Sequence, residues 1–393
     1  MNESTFESGV DMKSGPLIVP SPKEVLAGSN LQCLEAPAIW TRPPADFVVD
    51  LSGAQIVHCL SDPQDNIRHG SYRNRFSDVL VFGYHHFHGV LDRRRRIDCQ
   101  EINHIKEQLD IHIRHHPGRD KPIPQIYRTK GGYEVNCDGI TPEKLDGPLY
   151  FGTPIEPLNW GMWLLQAIPS AIDFLSGSQA DRFFAYIDRD WQRKLLNTVG
   201  IPDEKLVHHE LSRTYHCDDL VMKQFSHIDL VPTPMEQEMF SRVARDVAGV
   251  ERVTPRRRLF LSRRSITLES EGSYRALQNE DALVDAFASR GYEIVEPELL
   301  SFPDQIRLFA EAELVVGLGG AALFNVIFSP PATRVVTIES SAGFVHAHAC
   351  LFGALGHPYG VIFGRQDTED ETPVQKRWTV DVQGVMRAIE QYE

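Results

Sequence analysis

The sequence predicts an α/β fold in which a parallel β-sheet carries helices on both faces. Between residues 258 and 340, four short apolar runs alternate with helical patterns of about ten residues. Parallel strands need a crossover of this kind, whereas antiparallel strands can be joined by a tight turn. Each run stops at polar or glycine-rich residues. With 393 residues, of which 42% are hydrophobic, the chain is long enough for two domains.

The four predicted strands are residues 258–261, 292–295, 314–316 and 335–338. A helix opened by Asn279 follows the first strand and ends at Gly291, because glycine adopts the left-handed conformation that closes a helix. Ser301 is the predicted N-cap of the second helix, since its hydroxyl can accept a bond from a helical N–H. A third helix covers Ala321–Phe328, and a fifth strand covers residues 359–363.

The segments that follow these strands carry the candidate binding residues, because ligands of open parallel sheets bind outside the carboxyl ends of the strands. Arg263 and Arg264 follow the first strand, and Glu296 follows the second. A glycine turn at residues 317–320 follows the third strand, and Glu339 follows the fourth. Arginine forks match phosphate oxygens, and glycines before a helix N-terminus suit an anion. Strand-end carboxylates can accept from sugar hydroxyls. The pattern therefore predicts a nucleoside diphosphate site.

The composition excludes several other classes of protein. A net charge of −14 argues against nucleic acid as a partner. No run reaches the roughly 18 apolar residues of a membrane span. The first residues lack the basic and apolar regions of a signal peptide. Six cysteines without a CxxC pair indicate free thiols in a reducing cytoplasm. We therefore expect a cytoplasmic protein.

Histidines follow an apolar run in the first half of the chain. Residues 79–82 form a predicted buried strand, and His85, His86 and His88 lie just beyond it. Imidazole titrates near neutral pH, so His85 or His86 is a candidate general base. The alternative is that these histidines are alternating strand residues at a domain surface.

Two further stretches of the first half have a functional and a structural interpretation. Trp160 and Trp163 begin an apolar helix and could form a wall against a sugar ring, or fill the core between helices. The basic run at residues 92–96 could attract an anionic membrane surface or a lipid-linked diphosphate, which would place the protein peripherally at the inner membrane. Alternatively, these arginines are simply solvated.

Asp188 and Asp190 resemble a metal-binding carboxylate pair, but an exposed helix explains them better because no other ligand lies nearby in the sequence. No histidine or cysteine has a partner at the spacing of a zinc site, so we expect no metal.

The predicted domain organisation has four parts. Residues 1–20 are a flexible lead, residues 21–230 form the first α/β domain, and residues 231–375 form the second. Proline residues at 232 and 234 mark the hinge. The amphipathic helix within residues 376–393 is expected to pack back toward the first domain.

Several blocks of the second half resemble glycosyltransferase family 61, which includes bacterial capsular polysaccharide biosynthesis proteins. These blocks lie at residues 260–264, 279–280, 291–295, 300–306 and 317–325, and residues 159–169 give a weaker match. The order and spacing of the blocks make the resemblance specific, because a glycine turn alone would be a weak signal.

The resemblance implies a GT-B fold, in which two Rossmann-like domains with parallel sheets face a central cleft. It also implies inversion at the anomeric carbon, no essential metal and no cofactor, with a nucleotide-sugar donor and a glycan or lipid-linked glycan acceptor. The candidate substrate-binding residues are Arg263, Arg264, Asn279, Glu296, Gln305, Gly317, Gly319, Gly320, Ala321, Asn325 and Glu339, with Asn159 and Trp160 in the first domain.

The chain also departs from this family pattern. Many members have histidine in the glycine turn where this chain has Gly319, and histidine and aspartate where it has Met162 and Gln166. The departures leave the catalytic base open between His85 and His86. They also leave open a non-catalytic partner in a polysaccharide assembly complex that binds a nucleotide sugar.

A dinucleotide-dependent oxidoreductase or epimerase is the other alternative. Its glycine-rich turn should have GxGxxG spacing early in the domain and an acidic residue about 20 positions further on. The turn at residues 317–320 lacks this spacing and comes late, although Glu339 lies near the expected offset. The sequence therefore favours an inverting transferase that uses a nucleotide diphosphate sugar, with UDP as its nucleotide.

Overall fold

The structure is a computed structural model that forms two compact units. It describes residues 14–51, 60–84, 87–115, 123–225, 230–250, 253–265, 275–341, 345–370 and 376–393. Unit 1 comprises residues 1–37 and 69–228, and unit 2 comprises residues 38–68 and 229–393.

The strands, in chain order, are β1 Gly15–Pro16, β2 Leu31–Glu35, β3 Ala38–Arg42, β4 Phe47–Asp50, β5 Gln64–Arg68, β6 Ser71–Tyr84, β7 Phe87–Asp92, β8 Ile97–Asp98, β9 Gln125–Thr129, β10 Gly132–Asn136, β11 Glu143–Phe151, β12 Arg182–Ala185, β13 Leu206–His208, β14 Thr214–Phe225, β15 Arg257–Leu261, β16 Glu293–Val295, β17 Ala312–Leu318, β18 Arg334–Glu339, β19 Tyr359–Phe363, β20 Arg365–Gln366 and β21 Trp378–Thr379.

The α-helices are α1 Pro22–Leu26, α2 Ile105–His115, α3 Trp160–Met162, α4 Ile168–Leu175, α5 Asp190–Val199, α6 Pro234–Ala248, α7 Glu280–Ser289, α8 Phe302–Ala310, α9 Val345–Ala354 and α10 Val382–Tyr392. A π-helical turn at Trp163–Ala167 joins α3 to α4, and short 3₁₀ helices lie at Asp203–Lys205, Pro297–Leu299 and Ala321–Phe328.

Unit 2 is built on a parallel sheet, as the sequence predicts. Its described strands have the order β16-β15-β17-β18-β19-β4, and every neighbouring pair is parallel. On one face, Phe260, Val316 and Ile338 cluster with side chains of α7 and α10. The intervening residues Val315 and Val335 are also fully buried, so the other face is covered too.

The predicted helix boundaries in unit 2 follow local rules. Ser301 accepts from Asp304 N at the start of α8, and Gly291 has a φ of 78° just after α7. These are the expected cap and terminator. The helix predicted at Ala321–Phe328 has these bounds in the structure, where it is a 3₁₀ helix. Its tighter turn lets Leu323 pack against Gly317, where a β-carbon would approach Leu323 Cδ2 to 2.9 Å.

Unit 1 does not have the wholly parallel sheet that the family resemblance implies. Strands β13, β12, β11 and β14 are mutually parallel, but β6 pairs antiparallel with β14, and β7 and β2 pair antiparallel with β6. For β6 and β7 the reason is the short connection between them, since Tyr84 pairs with Phe87. A connection this short can join only antiparallel strands.

Two segments lie in a different unit from the one expected. Residues 38–68 come early in the chain but belong to unit 2, where β4 pairs with β19 at the edge of the parallel sheet. Helix α10 packs in unit 2 as well, since Val385, Met386 and Ile389 join the cluster around Phe260. Its apolar stripe is therefore buried on the sheet of its own unit.

Candidate functional site

The carboxyl ends of the parallel strands of unit 2 bring the predicted residues to one edge. Ser262 and Arg263 follow β15, Gly319 follows β17, and Glu339 ends β18. Because β15, β17 and β18 are parallel neighbours, these positions lie side by side.

Glu280 fixes the loop that presents Arg263. This carboxylate, at the first position of α7, is buried and accepts from Arg263 N over 2.6 Å and from Ser262 Oγ over 2.8 Å. Arg264 N donates in turn to Ser262 Oγ over 3.2 Å. A carboxylate at a helix N-terminus is stabilised by the helix dipole. The start of α7 therefore holds the backbone from which Arg263 projects.

Arg263 lies against the glycine turn. Its Nη1 donates to the carbonyl oxygen of Gly319 over 3.2 Å. A β-carbon on Gly320 would lie 3.4 Å from Arg263 Nη1 and 3.8 Å from Arg275 Nη2. The open face of Gly320 is therefore flanked by two guanidinium groups, an arrangement that favours an anion.

Sequence reasoning missed Arg275. It lies in the loop between β15 and α7, so it returns to the same edge of the sheet, and its φ is 49°, in the left-handed region. Its carbonyl oxygen accepts from Trp378 Nε1 over 2.8 Å, which anchors the backbone at this point. An arginine in the loop that follows a parallel strand was the available signal, because such loops lie at the carboxyl edge.

Glu339 lies behind the turn. A β-carbon at Gly319 would overlap the Glu339 carboxylate, so only glycine fits there. Thr337 Oγ1 donates to Glu339 Oε1 over 2.7 Å, and His348 Nδ1 lies 2.7 Å from the same oxygen. Burial by itself raises the pKa of Glu339, but His348, Thr337 and Arg275 together hold the pKa below its ordinary value. The carboxylate is thus kept ionised inside the site.

Arg264 and Glu296 lie elsewhere on the same unit. Arg264 Nη2 lies 3.6 Å from Glu296 Oε1, and Arg264 Nη1 lies 3.5 Å from Asp281 Oδ1. Both Arg264 and Glu296 line an open groove of about 600 Å³ along edge strand β16 and α8. The structure therefore separates Arg264 from Arg263, and it is Arg275 that lies beside Arg263 at the glycine turn.

Three predicted amide side chains are engaged in local structure. Asn279 Nδ2 donates to Val380 O over 2.8 Å, and its Oδ1 accepts from Val380 N over 3.2 Å. Gln305 is buried and donates to Leu300 O over 3.3 Å. Asn325 is fully buried and donates to Ala322 O over 3.1 Å. The Asn279 contacts join the start of α7 to Val380, whereas those of Gln305 and Asn325 are made within a few residues along the chain.

In unit 1, the predicted residues Asn159 and Trp160 make contacts with their own unit. Asn159 caps α3 by accepting from Gly161 N over 2.9 Å, and Trp160 lies edge-on to Trp191 at 5.3 Å between ring centroids. Gln166, where the family pattern has aspartate, is buried and accepts from Ile155 N over 2.9 Å. His85 and His86 lie outside the described residues.

The arginine run makes contacts within unit 1. Arg93 pairs with Asp78, Arg95 Nε donates to Pro16 O over 2.9 Å, and Arg96 lies 3.4 Å from Asp98. These contacts favour a structural interpretation of the run. Within the described ranges, no three histidine, cysteine or acidic side chains lie close enough to hold a metal ion. No helix in the same ranges is long and apolar enough to span a bilayer.

The fold and site define an α/β protein whose parallel sheet carries a glycine turn and two guanidinium groups at its carboxyl edge. Residues 110–336 match the family described as Glycosyltransferase 61. This match covers more than half of the chain, so the chain belongs to glycosyltransferase family 61 and is a glycosyltransferase. A comparison with curated proteins gave no match.

Proposed function

We propose that this protein is an inverting glycosyltransferase that uses a nucleotide diphosphate sugar, with UDP as its nucleotide, to extend a bacterial surface or capsular polysaccharide. The acceptor is a glycan or a lipid-linked glycan, and the reaction takes place in the cytoplasm or at the cytoplasmic face of the membrane. The observation that carries the proposal is the pair of guanidinium groups at Gly320, 3.4 and 3.8 Å from its β-carbon position.

The reaction is a single displacement. The acceptor hydroxyl oxygen attacks the anomeric carbon from the face opposite the diphosphate, and the bond between that carbon and the diphosphate oxygen breaks. The electron pair stays on the departing nucleoside diphosphate, and a base removes the proton of the hydroxyl. His85 or His86 is our candidate for this base. The GT-B arrangement is part of the proposal and rests on the family resemblance alone.

In this proposal, the residues around Gly320 stabilise the negative charge that develops on the leaving diphosphate. Arg263 and Arg275 flank the face of Gly320, and the 3₁₀ helix that begins at Ala321 directs its first N–H groups toward the same edge. Donors fixed in advance stabilise a developing charge without reorganisation, and each is typically worth about two to three orders of magnitude in rate. In this proposal they do the work that a metal ion does in other transferases.

Gly320→Ala tests the site directly. Gly320 has an extended backbone, and an added methyl group would make only ordinary van der Waals contacts, so the fold should be kept. The methyl group would nevertheless occupy the space between the two guanidinium groups. We expect at least about a tenfold loss of affinity for UDP and UDP-sugars, measured by calorimetry with EDTA present. Gly131→Ala is the matched control, because its β-carbon would point into open space.

Two results would overturn the proposal. One is the absence of binding to any member of a panel of nucleotides and nucleotide sugars in a thermal-shift assay, since a ligand that binds only the folded state must raise the midpoint. The other is binding without release of the nucleoside diphosphate when acceptor glycans are supplied. That second result would leave a nucleotide-sugar-binding partner in a polysaccharide assembly complex. Tighter binding of NADH than of UDP would favour the oxidoreductase alternative.

A further inference from the structure

The parallel strands of unit 1 have a carboxyl edge of their own, where polar and aromatic side chains follow each strand. Strands β11, β12 and β13 are parallel neighbours. Residues 152–160 follow β11, residues 186–191 follow β12, and His208 ends β13. Ligands of parallel sheets bind outside the carboxyl ends of the strands. This edge is therefore a candidate site, and it belongs to a different sheet from the proposed donor site.

Gln192 fastens the loops after β11 and β12 to each other. This side chain is fully buried, and its Nε2 donates to Pro157 O over 2.8 Å. Its Oε1 accepts from Asp188 N and from Arg189 N, both over 2.8 Å. Trp163 Nε1 donates to the same Pro157 oxygen over 2.7 Å. Groups that are held in place before binding lose little further freedom when a ligand arrives, which favours binding at this edge.

The three tryptophans near this edge differ in burial. Trp163 is fully buried, so it fills the core. Trp160 and Trp191 are only partly buried, and each lies in the first turn of a helix that starts at this edge. Their ring centroids lie 5.3 Å apart. The C–H faces of a sugar ring pack on aromatic rings, so this pair offers the kind of surface that binds glycans.

Asp188 and His208 supply polar groups at the same edge. The Asp188 side chain is 53% exposed; it is hydrogen-bonded to the Tyr186 hydroxyl and lies 3.5 Å from Arg189 Nε. An exposed ion pair of this kind stabilises little, so a ligand hydroxyl can compete for the carboxylate. His208 is exposed, and its Nδ1 accepts from Ile187 N over 3.2 Å. The neutral imidazole therefore carries its hydrogen on Nε2, which can donate to a ligand oxygen.

The loop after β11 adds Glu156, which has an uncommon backbone conformation. Its φ is 55°, in the left-handed region that non-glycine residues seldom adopt. Its Oε2 accepts from Asn159 Nδ2 over 2.8 Å, which fixes the direction of the carboxylate. Backbone strain of this kind persists where the surrounding contacts enforce it, and it is concentrated at ligand sites. A carboxylate has further lone pairs with which it can accept from a ligand.

We propose that this edge of unit 1 binds a neutral sugar ring of the acceptor glycan. Trp160 and Trp191 pack against its C–H face, and Asp188 accepts from its hydroxyl groups. Glu156 and His208 add a second acceptor and a donor. The two carboxylates repel a uronate or a phosphorylated sugar, so an acidic sugar is selected against at this position. The inference rests on the proposed function, because it identifies the bound sugar with the acceptor.

Neutral trisaccharides are suitable probes of this site. We would measure the binding of maltotriose, cellotriose, mannotriose and chitotriose by saturation-transfer NMR without donor, with trigalacturonic acid as the acidic comparison. At least one neutral trisaccharide should bind with a Kd of roughly 1 mM, and the acidic one should not bind. Asp188→Ala should weaken this binding at least about tenfold, because it removes a charged acceptor.

Asp203→Ala is the matched control. Asp203 is 59% exposed and lies 3.2 Å from Arg193, but it precedes β13 and so lies at the opposite, amino edge of the same strands. This control should bind like the wild type. If Asp188→Ala fails to fold, the tryptophan fluorescence of the wild type decides, since a sugar that covers Trp160 and Trp191 must change their emission.

Equal binding by Asp188→Ala and the wild type, or no binding of any probe to the wild type, would overturn the inference. Donor binding is measured separately with UDP-glucose, whose affinity should be unchanged in Asp188→Ala. Failure of UDP-glucose, GDP-mannose and dTDP-glucose to bind the wild type would overturn the proposed function, and with it the identification of the sugar as an acceptor.

Discussion

Two arginines of unit 1 and two buried carboxylates of unit 2 have different kinds of partner. In unit 1, arginines meet carboxylates directly: Arg73 forms a two-pronged pair with buried Asp173, and Arg75 forms one with Asp219. In unit 2, the buried carboxylates Glu280 and Glu339 bind backbone amides, hydroxyls and an imidazole.

The two kinds of contact act differently on the charge of an arginine. A two-pronged contact with a carboxylate cancels the charge of a guanidinium group, whereas a contact with a neutral carbonyl does not. Arg263 donates to the carbonyl of Gly319, so that bond orients the group without cancelling its charge. The sequence shows arginines in both units, but it does not show which of them form two-pronged carboxylate pairs as Arg73 and Arg75 do.

The largest expected effect comes from removing the guanidinium group of Arg263 from the carboxyl edge of the sheet in unit 2. Arg263→Ala should lower the rate of glycosyl transfer by about two to three orders of magnitude, because it removes a fixed donor from the leaving group. Arg264→Ala is the matched comparison, since that arginine contacts Asp281 and Glu296 instead, and its loss should cost less than about tenfold. Initial rates with donor and acceptor saturating would measure both. Equal losses in the two variants would contradict the separation of the arginines.

The next largest effect should come from breaking the direct pair between Arg73 and Asp173 in unit 1. Asp173→Asn keeps the shape of the side chain but leaves Arg73 without its carboxylate and alters the bond that Tyr150 donates to Asp173 over 2.7 Å. Removing one partner of a buried ion pair costs about 3 kcal/mol or more. We expect urea unfolding to show this loss, and hydrogen exchange to locate it in β6 and α4. An unchanged midpoint would show that the pair does not stabilise unit 1.

Much of unit 2 could be predicted from the sequence, because its strands are apolar runs that end at polar or glycine residues. Arg263, Gly320 and Glu339 directly follow parallel strands, so the rule for parallel sheets was enough to bring them together. Arg275 lies in a loop that the same rule brings to this edge, but it is far from the end of β15 and no periodic pattern in the sequence marks it.

Pairs of strands that lie far apart in the sequence could not be predicted either. Strand β4 lies more than 300 residues from β19, its partner, and nothing local in its sequence specifies that contact. The antiparallel pairing of β6 with β14 in unit 1 also joins distant parts of the sequence, since Thr214 pairs with Phe82. The choice between a 3₁₀ helix and an α-helix after Gly320 depends on packing against Gly317, which the helical periodicity of the sequence does not reveal.

A smaller effect is the pH dependence of stability that a buried carboxyl group causes in unit 1. Burial raises the pKa of Asp98 in unit 1 to about 6, and the Arg96 guanidinium only partly opposes this. The folded state therefore binds more protons than the unfolded state between about pH 4 and pH 6, and it loses stability as the pH rises through that window. Asp98→Asn should stabilise the protein by about 1 to 2 kcal/mol at pH 7.5 and by almost nothing at pH 4. Urea unfolding at both pH values would measure this, and destabilisation at pH 7.5 would contradict it.

The smallest effect concerns the loop that holds Arg263. Ser262→Ala removes the bond to Glu280 Oε1 and the acceptor for Arg264 N, but Glu280 still accepts from Arg263 N over 2.6 Å. Because that main-chain bond remains, we expect a loss of only about 1 kcal/mol in stability. The donor KM should rise a few-fold while kcat stays close to that of the wild type, since the arginine is less well ordered before binding but reaches the same place in the complex. A fall in kcat as large as that of Arg263→Ala would instead place the Ser262 hydroxyl at the reacting atoms.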